Sequence, residues 1–224
     1  MSIRIAYKTL RKEVPGHVTI LLACKTRTPD EIREAVAAGA TDLGQNYVQE
    51  AESLMEALGG RAGAVRWHMI GPLQKNKINK ALRLFDVVQT VHSMKQAREI
   101  QQRAEAIGKH LSVYIEVNIG EESAKSGAPP EQEAVLQLAR GISTLANLRL
   151  EGLMTMGPFL DDPEAIRPYF RKTREIFDHI RSLNEPGIDL TVLSMGMSDS
   201  YRVAIEEGST MIRPGTIVFG PRPA

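Results

Sequence analysis

A single cysteine, Cys24, in 224 residues excludes an internal disulfide and fits a reducing compartment. Neither sign of charge dominates. Lysine and arginine total 28 against 27 acidic residues, a formal charge of +1, so bulk electrostatics favour neither nucleic acid nor a membrane surface as partner. No apolar run has the length of a transmembrane helix, and residues 1–8 lack the apolar stretch of a signal sequence, so a cytoplasmic protein is expected. Low-complexity tracts, Ser/Gly-rich linkers and fixed-period repeats are also missing, which points to one domain over residues 1–224. No pair of His or Cys has metal-ligand spacing, and no Ser-His-Asp set can be argued. The most basic stretch, Lys75-Asn76-Lys77-Ile78-Asn79-Lys80, lacks interleaved aromatics and reads as a solvated helix start.

What is present is alternation. With 42% hydrophobic and 25% charged residues the chain has ordinary globular composition. After an opening segment read as helical, short β-rich runs at 18–24, 41–44, 65–70, 86–91, 112–118, 148–154, 191–195 and 210–213 alternate with helical periodicity. The intervening helices are expected at 29–38, 47–58, 76–84, 93–107, 130–145, 163–183 and 199–207. Pro29 opens the first of them, Ser93 is an N-cap, and Gly39 and Gly108 are stops.

Eight strands separated by helices call for parallel pairing through right-handed crossovers. The count of eight predicts a closed (β/α)8 TIM barrel, at the compact end of a range that runs from about 200 residues. An open doubly wound sheet is the rival, but no Gly-rich fingerprint follows Cys24. In such barrels chemistry gathers at the C-terminal strand ends. Those ends carry Lys25, Asn46, His68, Thr90 or His92, Asn118 with Lys125, Met154, residues 194–198 and residues 213–216.

The last two ends are glycine-bearing loops, Ser194-Met195-Gly196-Met197-Ser198 and Arg213-Pro214-Gly215-Thr216. Each alone reads as a tight turn. Together, after strands seven and eight, they match the place where barrels hold phosphate on free N–H groups and hydroxyls. A lysine facing a phosphate site suggests either a Schiff base to a phosphorylated sugar or a linkage to pyridoxal phosphate. Arg213 could partner a pyridine nitrogen, and His68 or Tyr47 could pack beside the ring, although a His next to Trp67 on a strand is more often a hydrogen-bonded core residue.

The ordered motifs Ala23-Cys24-Lys25-Thr26, Gly44-Gln45-Asn46-Tyr47-Val48-Gln49-Glu50, Trp67-His68-Met69-Ile70-Gly71-Pro72-Leu73-Gln74, Asn118–Glu122 with Lys125–Gly127, and the two glycine loops with Phe219-Gly220 carry a family resemblance. The chain resembles the pyridoxal phosphate homeostasis proteins, which look like the barrel domain of alanine racemase standing alone. The resemblance implies that Lys25 holds pyridoxal 5'-phosphate as a Schiff base. It further implies that Ser194, Gly196, Met197, Ser198, Gly215 and Thr216 contact the phosphate, and that Arg213 meets the ring nitrogen. Asn46, His68 and Met195 would line the pocket, and Lys125 matches a second lysine near the cofactor. Cys24, where the family commonly has Ser or Thr, and Gln45, where Glu is usual, depart from the pattern. If the strand alternates, Cys24 points away from Lys25 and binding survives.

Racemisation needs a base on each face of the substrate carbanion and a ring that accepts electrons. In the racemases the second base comes from an added domain and a partner subunit, whereas this chain ends four residues after Gly220. An always-charged arginine at the ring nitrogen also weakens the electron sink. The resemblance therefore implies a non-catalytic, monomeric carrier that buffers the cofactor or passes it transiently to apo-enzymes. A weak amino-acid racemase is the alternative, and a cofactor-free aldolase leaves Arg213 unexplained.

Overall fold

The computed structural model describes residues 2–122, 126–158 and 160–221. Eight parallel strands close into a barrel in chain order: β1 Thr19–Ala23, β2 Asp42–Gln45, β3 Arg66–Met69, β4 Val87–Val91, β5 Leu111–Val117, β6 Leu148–Thr155, β7 Val192–Ser194 and β8 Met211–Ile212. Closure is made by Thr19 opposite Met211 and Ile20 opposite Ile212. The (β/α)8 barrel expected from the strand count is the fold observed.

Helix α1, Ile3–Glu13, precedes the barrel. The outer layer continues with α2 Pro29–Ala37, α3 Val48–Leu58, α4 Ile78–Leu84, α5 Met94–Ala106, α6 Gln132–Ser143, α7 Arg167–Ser182, α8 Tyr201–Glu206 and α9 Thr216–Phe219. Local signals place several starts. Thr28 and Glu31 close a capping box over α2 with Pro29 in the first turn, and the Ser93 side chain caps α5 by accepting from the Gln96 amide. Residues 75–77 and 163–166, read from sequence as first helical turns, are 3-10 turns leading into α4 and α7. Helix α9 carries no sequence signal; only the fold of the last loop creates it.

Strand alternation divides the core in two. Outward residues such as Leu22, Leu43, Trp67 and Leu193 pack with Ile32, Leu54, Phe85, Phe170 and Phe177 in a continuous layer between sheet and helices. Inward residues Leu21, Ile70, Val87, Tyr114, Met154 and Met211 fill the barrel itself. The fully buried phenylalanines each stabilise the outer layer by about 3–5 kcal/mol relative to alanine. Toward the N-terminal end the interior turns polar, where Arg66 pairs with Glu151 and bonds Ser112. Among the described residues no helix is long and apolar enough to cross a membrane.

Candidate functional site at the C-terminal rim

At the C-terminal ends of β1, β2, β7 and β8 lies a cavity of about 280 Å³. Ala23, Lys25, Arg27, Asn46, Met197, Ser198, Asp199, Arg213, Gly215 and Thr216 line it. Its size is near the lower end of small-molecule sites, roughly 300 Å³. A larger groove of about 420 Å³ opens beside α4 and α5 around Arg83, Arg103 and Ile107, but it collects no nucleophile or converging hydroxyls. Chemistry, not size, selects the rim cavity.

Lys25 is the second residue beyond β1, after the buried Cys24, and a sharp turn holds it there. Thr26 adopts φ 64°, a left-handed conformation that a β-branched residue takes only when its surroundings enforce it. One enforcing contact is the Arg27 amide on the Cys24 carbonyl at 3.1 Å; another is the Gln45 side-chain amide, which donates to that carbonyl at 3.1 Å. Gln45 Oε1 is buried with no partner among the described residues. Cys24 points into the outer layer, as alternation predicts, with Sγ on the Leu22 carbonyl, and burial pushes its thiol far above the ordinary range. Lys25 Nζ stands 5.2 Å from the centre of the Tyr47 ring, which is 49% exposed.

The glycine loops face Lys25 across the cavity. Ser198 Oγ accepts from the Gly215 and Ile217 amides at 3.0 and 3.3 Å, tying one loop to the other. Gly196 has φ 93°, and a side chain there would meet Ala204 Cβ at 2.5 Å, so the turn requires glycine. Arg213 is almost wholly buried. Its Nη1 donates to Ser194 Oγ and its Nη2 to the Thr155 carbonyl, both at 2.7 Å. Burial draws its guanidinium down to about 10 against the opposing pull of Glu116, which leaves it charged at neutral pH.

Three expected pocket residues lie elsewhere. His68 is 0% exposed and faces the barrel interior, with Nε2 3.0 Å from Asp42 Oδ1 and Nδ1 2.9 Å from the Gln89 amide. It precedes the last residue of β3, so its inward side chain lies a layer below the rim. Ser194 is buried beneath Arg213 and donates to Gln89 Oε1 at 2.8 Å. Met195, the next residue, alternates outward and packs in the helix layer. Gly196 shapes its loop without lining the cavity, and Lys125 lies outside the described residues.

Three lining residues escaped the sequence reading: Ala23, Arg27 and Asp199. Arg27 donates to the carbonyls of Phe219, Gly220 and Pro221 and to Glu31, clamping the turn that carries α9. Nothing in the sequence signals that contact, which spans more than 190 positions. Asp199 accepts from the Ser200 hydroxyl, and its place just after Ser198 was the available hint.

Residues 3–223 match the family model described as alanine racemase, N-terminal domain. A pyridoxal phosphate homeostasis protein of Aquifex aeolicus (strain VF5) is 41% identical over 203 residues, 91% of this chain and 86% of that protein. One from Pasteurella multocida (strain Pm70) is 36% identical over 211 residues, 94% of this chain and 89% of the relative. PipY of Synechococcus elongatus PCC7942, solved with PLP bound, superposes with a TM-score of 0.88 at 30% identity, covering 98% of this chain and 100% of PipY. An alanine racemase of Clostridium difficile 630 aligns with a TM-score of 0.82 at 16% identity over 57% of its length, a likeness of fold alone.

Proposed function

This chain belongs to the alanine racemase N-terminal domain family, and within it to the pyridoxal phosphate homeostasis proteins; on that premise we propose that it binds pyridoxal 5'-phosphate at the rim cavity and serves its homeostasis. The observation that carries the reading is the convergence, in one cavity, of a lysine, a buried cationic arginine and two interlocked glycine loops. When bound, the cofactor supplies an aldehyde that an amine can capture and a pyridine nitrogen that accepts a hydrogen bond.

The residues present fit those demands. Lys25 is the amine for a Schiff base, held beside Tyr47 by the turn at Thr26. Ser198, Gly215 and Thr216 form the phosphate end, where two hydroxyls stand beside a glycine backbone. Arg213 spends one donor of each terminal nitrogen on Ser194 and Thr155, and its Nε–H has no partner among the described residues, so it keeps a donor for the ring nitrogen. Asn46 and Met197 complete the walls. An arginine that stays charged at neutral pH keeps its proton, so the ring nitrogen opposite it stays unprotonated. That favours holding the cofactor over turning it into an electron sink, and we read the protein as a non-catalytic, monomeric carrier that yields its cofactor to apo-enzymes.

The test is direct. Purified protein is loaded with pyridoxal phosphate, reduced with borohydride and digested, and the pyridoxyl adduct is expected on the Lys25 peptide and absent from Lys25→Ala. An adduct elsewhere, or none, overturns the assignment. Incubation of loaded protein with single amino-acid enantiomers is expected to leave them unchanged; substantial inversion would replace the carrier reading with the racemase one. Sedimentation at several concentrations is expected to return a monomer.

A further inference from the structure

The residues that left the pocket, His68 and Ser194, belong to a single file of hydrogen bonds through the barrel interior. Arg213 Nη1 donates to Ser194 Oγ at 2.7 Å, and the Ser194 hydroxyl donates to Gln89 Oε1 at 2.8 Å. Gln89 Nε2 donates to His68 Nδ1 at 2.9 Å, and His68 Nε2 meets Asp42 Oδ1 at 3.0 Å. One orientation satisfies every member. The Gln89 amide also points Nε2 at Met211 Sδ, 3.3 Å away, where a carbonyl oxygen would face sulfur lone pairs. With Nδ1 accepting, the neutral imidazole carries its proton on Nε2 and donates to the carboxylate. The file thus begins at a guanidinium in the cavity wall and ends at a carboxylate on β2, its dipoles aligned head to tail.

Such alignment strengthens each bond in a dry interior, and Ser194, Gln89 and His68 are each 0% exposed. Four strands contribute one member each, so the only element that reaches the cavity is Arg213. We propose that Gln89, His68 and Asp42 are positioning residues that act through Ser194 to lock the Arg213 guanidinium, so that its Nε–H is presented to the ring nitrogen of the cofactor. The inference rests on the cofactor assignment above and adds residues that do not line the cavity.

A double-mutant cycle tests it. Dissociation constants for pyridoxal phosphate are measured by absorbance titration for the wild type, Gln89→Leu, Arg213→Ala and the double variant. Gln89→Leu is expected to weaken binding about tenfold, roughly 1.4 kcal/mol, and to cause no further loss once Arg213 is alanine. An equal loss in both backgrounds overturns the proposal, because the effect would not pass through Arg213. In the apo-protein, ¹⁵N NMR is expected to show His68 protonated at Nε2 and resolved Arg213 guanidinium signals that broaden in Gln89→Leu. Unchanged Arg213 signals in Gln89→Leu also overturn it. If the wild type binds no cofactor, the functional reading fails while the NMR comparison still decides the file of hydrogen bonds. Should Gln89→Leu not fold, Ser194→Ala interrupts the same file by removing one oxygen and takes its place in the cycle and in the NMR comparison.

Discussion

Replacing Gly71 by alanine tests how tightly the floor of the rim cavity is set. Gly71 follows β3, and its missing side chain is where the backbone of Asn46, a cavity residue, passes. A Cβ would overlap the Asn46 carbonyl oxygen and stand 2.7 Å from its Cα and 2.9 Å from its carbonyl carbon. Ordinary Cβ contacts begin at 3.4 Å, and all three opposing atoms are backbone, so no rotamer change relieves the clash. Asn46 and the start of α3, with Tyr47 beside Lys25, must retreat by more than half an ångström. Overpacking of this kind costs about 1–3 kcal/mol. For a chain of this size each kcal/mol moves the melting temperature by about 2–4 °C, so a fall of roughly 2–12 °C is expected. Gly60→Ala is the control, since nothing lies within 4 Å of its Cβ position. Thermal melts and pyridoxal phosphate titrations of both variants decide the matter: Gly71→Ala should melt lower and bind more weakly, while Gly60→Ala should match the wild type. Identical behaviour of the two would refute the claim that close backbone approach at Gly71 places Asn46.

Two further outcomes follow from buried charge. Burial holds the His68 imidazole below its ordinary pKa, the Asp42 contact opposing but not cancelling it, so the native state stays neutral where the unfolded chain takes up a proton near pH 6.5. The stability it contributes is complete above that value and is lost as pH falls from there toward the depressed native value, at up to about 1.4 kcal/mol per pH unit. Asp42 is also depressed, burial being outweighed by bonds from His68 and Thr41, and adds a loss of the same sign at lower pH. Urea unfolding at pH 7.5 and 5.5 should show the first loss in the wild type and a smaller one in His68→Gln; equal slopes would contradict it. Arg27→Ala should destabilise by about 2 kcal/mol, because a guanidinium 4% exposed serves three carbonyls and a carboxylate. Arg27→Lys should recover only part of this, since one ammonium cannot span that set, and melts matching the wild type for both variants would remove Arg27 as the clamp on α9.

Some placements at the rim depend on the backbone alone. Lys25 and Arg213 sit where buried runs stop, and a closed parallel barrel puts every such stop on one rim. Alternation, carried one residue past β7, separates Ser194 from Met195, for consecutive extended residues cannot both face the axis. Depth was harder to read. His68 looks like a strand end in the run 65–70, yet β3 ends one residue later and the inward imidazole falls below the rim. The available signal to its real company was Gln89, which with Thr90 is a polar side chain in a strand of valines and sits wholly buried in the fold. A buried amide needs partners, but which ones is not written locally.

Periodicity, caps and breakers along the chain determined the order of eight strands and their helices, the closure they require, and Lys25 as the amine at the mouth of the first strand. Only the tertiary structure decided which polar groups meet. Gln89 and Ser194 are 105 positions apart, and Arg27 reaches carbonyls more than 190 positions away. Local propensities act over a few residues, whereas barrel closure brings distant strands side by side, and the contacts that aim Arg213 and hold the last helix exist only once the ring is shut.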